Sequence, residues 1–133
     1  MFYVQYAHAR ICSVMRKAAE AGIDTGDAAL AQADMGSLSD PAEIALIAKL
    51  ADWPRQVEIA ARGAEPHRIA TYLSELAAEL HAHWNAGNDR PELRFLQDDP
   101  EVSRPKIALA RAVAVVISAG LGILGVEPVK EMR

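Results

Sequence analysis

The chain predicts an all-α bundle of about five helices, and three observations carry that prediction. Apolar residues recur at steps of three and four, and no segment alternates as a half-buried strand does. Ala and Leu are abundant while Phe is scarce, a balance that suits closely packed helices. Helix-starting residues stand at the head of the apolar segments: Asp40-Pro41, Trp53-Pro54, Glu65-Pro66 and Ser103. No internal repeat is present, which argues against a solenoid.

The first helix opens at residue 2, where Val4, Ala7, Ile11, Val14, Met15 and Ala18 form one apolar stripe. No capping residue precedes it, the pattern expected of a piece taken from a longer chain. Gly22 stops this helix, and residues 22–39 read as a loop in which Ala28–Ala33 can make at most one turn. Asp40-Pro41-Ala42-Glu43 is a capping box with Pro at the first helical position, and Ile44, Leu46, Ile47 and Leu50 are expected to face inward. The next helix runs from Trp53-Pro54 to Gly63, with Val57, Ile59 and Ala60 on its apolar side. A third in this series starts at Glu65-Pro66 and carries Ile69, Tyr72, Leu73, Leu76, Leu80 and His83 on one face, closing at Gly87. Residues 87–103 read as an irregular polar connection. Ser103 is the expected cap of the last helix, where Leu109, Val113, Val116, Ile117, Leu121 and Leu124 make a wide apolar face before Pro128 forbids continuation.

At 133 residues the chain suits one domain, 1–133, with a real core. Its single cysteine, Cys12, excludes an intramolecular disulfide and makes a reducing, cytoplasmic setting the default expectation. The most apolar stretch, Ile107 to Val126, is interrupted by Arg111 and three glycines, so no membrane span is expected. A net charge of −4 argues against coating nucleic acid by bulk electrostatics. The charge is sorted, however. Arg10, Arg16 and Lys17 lie near one end, and Arg104, Lys106, Arg111, Lys130 and Arg133 near the other, with the acid concentrated between them. If the two ends meet in space, they form one positive surface on an acidic body.

Enzyme hallmarks are missing: no phosphate-cradling Gly-rich loop, no Ser elbow, no paired carboxylates outside helix surfaces. His8 and Cys12 share a helix face, either as a nucleophile pair or half a metal site, or simply as groups flanking the core. His81 and His83 point apart on a helix and cannot chelate one ion, and His83 reads as a core histidine. Tyr3, Tyr6, Arg10 and Lys17 line up beside the first apolar stripe. Such rings either roof the core with their hydroxyls in water or, interleaved with cations, suit stacked bases and phosphates. Trp84 by periodicity belongs to the core, although its place near a helix end leaves room for one exposed ring face.

Several segments, taken in order, resemble the C-terminal anticodon-binding domain of arginyl-tRNA synthetases: Phe2-Tyr3-Val4-Gln5-Tyr6-Ala7-His8-Ala9-Arg10-Ile11, Glu65-Pro66-His67-Arg68-Ile69, His83-Trp84-Asn85 and Ala108-Leu109-Ala110-Arg111-Ala112-Val113. The fourth is similar to the signature of the DALR-type domain, and Val129-Lys130-Glu131-Met132 completes the series. The resemblance implies a helical bundle that holds the anticodon stem-loop of tRNA(Arg). It also implies a parent enzyme that joins arginine to that tRNA with ATP and Mg²⁺. The HIGH and KMSKS motifs of the family's catalytic domain are absent here, so the resemblance implies no catalytic residue, no metal and no cofactor in this piece, and a missing catalytic domain as its partner. It places Tyr3, Tyr6, Trp84 and Met132 against the anticodon loop. Arg10 and Arg111 lie in matching motifs and are assigned phosphate contact from charge and position. Two features depart from the family: Arg133 follows the methionine with which it usually ends, and the acidic 87–103 connection is expected to face away from RNA. The alternative from another class is a free-standing helical adaptor or dimerisation domain whose tyrosine face takes a protein helix.

Overall fold

A computed structural model describes residues 2–132. Six α-helices appear in it: α1 (Phe2–Glu20), α2 (Asp27–Ala31), α3 (Pro41–Ala51), α4 (Trp53–Gly63), α5 (His67–Asp89) and α6 (Pro100–Ile123). Single 3₁₀ turns at Met35–Ser37 and Pro91–Leu93 complete the architecture, and no strand occurs among the described residues. The expected five helices are therefore α1 and α3 to α6, while α2 is a short turn in the region read as a loop.

The two longest helices, α5 and α6, form the centre, with α1 across both and α3 and α4 along α5. The α1 stripe is buried as its spacing demands: Val4, Ala7, Ile11, Val14 and Ala18. Its first four residues meet Leu73, Leu76 and Leu80 of α5 and Leu109, Val113, Ile117 and Leu121 of α6 in one core, while Ala18 packs with Ile23, Leu30 and Ile107. At the α5–α6 crossing Gly120 lies so close to Leu73 that a Cβ there would stand 2.7 Å from Leu73 Cδ2. A side chain at that position would push the helices apart. By length and composition α6 could cross a membrane. The expected interruption does not prevent this, because Ala, Val and Ile fill the helix on both sides of Arg111. Its buried residues instead make it the spine of the core.

Three helices end in the same device, in which a residue of positive φ turns the chain and two amides cap the last carbonyls. Gly22 (φ 85°) ends α1, with Ile23 N–H bonded to Ala18 O at 3.0 Å. Gly125 (φ 75°) follows α6, with Val126 N–H bonded to Leu121 O at 2.8 Å. After α4 the positive φ falls on Ala64 (52°) and not on Gly63, which stays helical.

Three further expectations are corrected. Asp99, not Ser103, caps α6, accepting from Glu101 N–H at 2.9 Å. Ser103 is buried inside the first turns, where its hydroxyl ties Gln97 of the incoming connection. Helix α5 runs past Gly87 to Asp89, and the bare Gly87 backbone receives the Arg94 side chain, whose Nε donates to Gly87 O at 2.8 Å. Ile44 is exposed, because it sits some 200° around α3 from Leu46, which is buried. The 87–103 connection buries Leu93 and Phe95 and packs Phe95 beside Trp84.

The capping box of α3 forms as its sequence predicts, with Asp40 accepting from Ala42 N–H at 2.9 Å and Glu43 from Asp40 N–H at 3.4 Å. Glu43 is 3% exposed and its other oxygen takes a bond from Lys106 Nζ at 2.8 Å, pinning α3 to α6. Tyr72 donates to Lys49 O at 2.6 Å; burial first, then Asp52, Glu79 and Glu75, pushes its phenol up to about 12.

Candidate nucleic-acid interface

After Gly125 the chain doubles back along α1, so the two ends of the sequence meet. Gln5 bonds it twice: Nε2 donates to Glu127 O and Oε1 accepts from Val129 N–H, both at 2.8 Å. One turn on, His8 Nδ1 lies 2.7 Å from Val129 O and donates to it, since a carbonyl only accepts. Arg16 reaches Lys130 O at 3.4 Å. These bonds seat Glu131 and Met132 against the flank of α1.

A groove of about 450 Å³ results. Tyr6, Arg10, Arg16 and Lys17 of α1 line one side, with Trp84 of α5 and Glu131 and Met132 of the returning chain opposite. Of the sorted charges, the three cations of α1 share this groove on a domain of net charge −4, whereas Arg104, Lys106 and Arg111 pair with Glu101, Glu43 and Asp27.

Arg10 is the best-held of these cations. Its guanidinium carbon lies 4.8 Å from the Tyr6 ring centre and 4.7 Å from that of Trp84. Nη2 donates to the Tyr6 hydroxyl at 3.0 Å, and Nη1 lies 3.2 Å from His81 Nδ1. Arginine only donates, so Nδ1 is the bare acceptor and Nε2 carries the proton, facing Tyr3 O at 3.4 Å. The His81 ring also meets the rings of Tyr3 and Tyr6, with centroids 4.3 and 5.3 Å away. Burial, reinforced by the Arg10 charge, pushes His81 below the ordinary imidazole value against the pull of the Tyr3 carbonyl.

Both tyrosines face out, Tyr3 at 51% and Tyr6 at 38% exposure, and Trp84 is half-buried against the core. Tyr6, Arg10, Trp84 and Met132 share the groove, and Tyr3 joins through His81. Arg111 stands apart: it is not in the groove wall, and its Nε approaches Asp27 of α2 at 3.4 Å. Arg133 lies outside the described residues. Sequence reasoning missed His81, which stands three residues before Trp84 and therefore on the same face of α5. It also missed Gln5, for which spacing offered no signal.

The His8–Cys12 pair does not support chemistry. The Sγ–Nδ1 separation is 3.7 Å, that nitrogen already serves Val129, and burial pushes the thiol up, away from the reactive thiolate. Among the described residues no three His, Cys, Asp or Glu side chains gather as metal ligands would. His83 is buried as expected, with Nε2 bonded to Leu93 O at 3.1 Å.

Residues 4–132 match the DALR anticodon binding domain. The chain belongs to that family. An arginine-tRNA ligase of Cereibacter sphaeroides is 73% identical over 133 residues, which is all of this chain and 23% of that protein. One from Ruegeria pomeroyi is 68% identical, again over 23% of its length. The Thermus thermophilus arginyl-tRNA synthetase superposes with a TM-score of 0.82 at 34% identity, over 98% of this chain and 21% of that one. A putative arginyl-tRNA synthetase of Campylobacter jejuni gives a TM-score of 0.80 at 26% identity. This DALR domain therefore spans under a quarter of the curated relatives it matches, and its groove belongs to an α-helical anticodon-binding fold.

Proposed function

We propose that this DALR domain reads the anticodon stem-loop of tRNA(Arg), as the C-terminal part of a cytoplasmic ligase that joins arginine to that tRNA. The observation that carries the reading is the convergence of the Tyr6 ring, the Arg10 guanidinium, the Trp84 ring and Met132 on one groove. Single-stranded loops are read by splaying their bases, stacking them on rings and bonding their exposed edges. Each stacked base is worth about 1–3 kcal/mol, so a few rings and cations suffice even on an acidic domain. Tyr3, Tyr6 and Trp84 supply ring faces, Arg10, Arg16 and Lys17 lie where a phosphate chain can pass, and Met132 offers an apolar edge. Arg111, engaged with Asp27 away from the groove, is at most a peripheral phosphate contact.

The family resemblance also implies ATP and Mg²⁺ for the parent enzyme, and nothing among the described residues of this domain suits either. The chain has no phosphate-cradling loop, and its described carboxylates and histidines form no ligand cluster. Both belong to the parent's catalytic portion, which makes that portion a partner of this domain and leaves the domain alone without ligase activity. The test is titration with a tRNA(Arg) transcript and an anticodon-swapped control. Preference for the cognate anticodon, with a shallow loss of affinity as salt rises, is expected. Equal affinity for the two removes the reading, and indifference to both RNA and salt favours the protein-docking alternative.

A further inference from the structure

Arg10 is the cation shared by the two groove rings, and its direction is fixed from behind. His81 is 4% exposed, sits beneath Tyr3 and Tyr6, and offers Arg10 Nη1 its only acceptor atom at 3.2 Å. The second Arg10 bond goes to the Tyr6 hydroxyl, so guanidinium, phenol and imidazole form one chain ending on the Tyr3 carbonyl. We infer that His81 is a positioning residue for RNA binding: its unprotonated Nδ1 holds Arg10 over Tyr6 and Trp84, and a proton on that nitrogen releases Arg10. This inference rests on the anticodon-binding reading above.

The physical case is one of valence. A neutral imidazole has one donor and one acceptor nitrogen, and both are spoken for here. A proton arriving at Nδ1 removes the acceptor and sets two cations side by side. Arg10 then has to turn away, and the Tyr6 hydroxyl loses the donor that orients it. The α5 residues one turn either side of His81 are Ala77, Ala78, Trp84 and Asn85, none of which titrates. From α1, the ionisable groups that meet it are Arg10, Tyr3 and Tyr6. Arg16 and Lys17 lie about two turns farther along α1. From the returning chain, Glu131 lines the same groove and is the one carboxylate there among the described residues. Burial already favours the neutral ring, so the groove is set for reading at neutral pH and loosens on acidification.

The experiment titrates labelled tRNA(Arg) anticodon stem-loop into wild type, His81→Asn and His81→Phe between about pH 5.5 and 8, with thermal melts of each. Asparagine keeps an acceptor where Nδ1 stood and cannot take a proton; phenylalanine keeps the ring and loses the acceptor. At neutral pH, His81→Asn should bind within a few-fold of wild type and His81→Phe about tenfold more weakly. As pH falls, wild-type affinity should drop about tenfold relative to His81→Asn, a ratio in which the protonation of the other histidines cancels. A flat ratio across the range overturns the inference, as does a folded His81→Phe that binds like wild type. If wild type shows no preference for the cognate loop at neutral pH, the anticodon reading itself has failed. The hold on Arg10 is then read in the free protein from the Trp84 indole N–H resonance. It should titrate in wild type and stay put in His81→Asn; constancy in both overturns the inference.

Discussion

Gln5 grips the returning chain with both ends of one amide, donating to Glu127 O and accepting from Val129 N–H at 2.8 Å each. A neighbouring strand would offer the same pair of bonds. Gln5→Ala should therefore free residues 126–132 while leaving the bundle intact. We expect a loss of about 1–2 kcal/mol in stability, from two bonds near the surface. Hydrogen exchange at the Val129 amide should accelerate, and RNA affinity should fall several-fold as Met132 leaves the groove. Unchanged exchange at Val129 would mean that His8 and Arg16 hold this segment without Gln5.

Tyr6 and Trp84 differ in depth, and their alanine variants should differ accordingly. Tyr6→Ala should weaken RNA binding by about 1–3 kcal/mol and move the melting transition little, since that ring stands outside the core. Trp84→Ala should cost a similar amount of binding and about 2 kcal/mol of stability as well, because its ring packs on the core and beside Phe95. Paired RNA titrations and denaturant melts separate the two. A Tyr6→Ala domain that unfolds would make that ring structural.

The Glu43–Lys106 bond is the test of how α3 is fastened to α6. Lys106→Met leaves a buried carboxylate without its cation and should destabilise the domain by about 3–5 kcal/mol. Adding Glu43→Gln, which removes the charge but keeps the cap, should restore most of the loss. Chemical denaturation of the single and double variants measures both numbers.

Helix identity was legible from apolar spacing in the α1 stripe and the Ile69–Leu80 face of α5, and from the cap in the Asp40–Glu43 box. It failed where a local signal had two meanings. Ser103 has the chemistry of a cap, but Asp99 stands four residues earlier and does that work, leaving the serine hydroxyl to tie the connection from inside. Gly87 reads as a stop, yet here it clears space for Arg94. Of the proposed site, the outward tyrosines could be placed from one helix alone. The encounter of Arg10 with Trp84 and Met132 could not, because it depends on α1, α5 and a returning segment more than a hundred residues away in sequence. His81 was weighed only as a metal ligand, and spacing cannot show a histidine serving as the acceptor behind an arginine.

Because Arg10, Arg16 and Lys17 of α1 share one groove of a net-acidic body, positive charge on this domain is gathered on one face. A polyanion drifting toward its back is turned aside before contact, and one approaching the groove is drawn in. On the anticodon-binding reading proposed above, selectivity thus begins in the solvent: most misdirected encounters end without touching, and the rings are left to sort RNA that has arrived facing the right way.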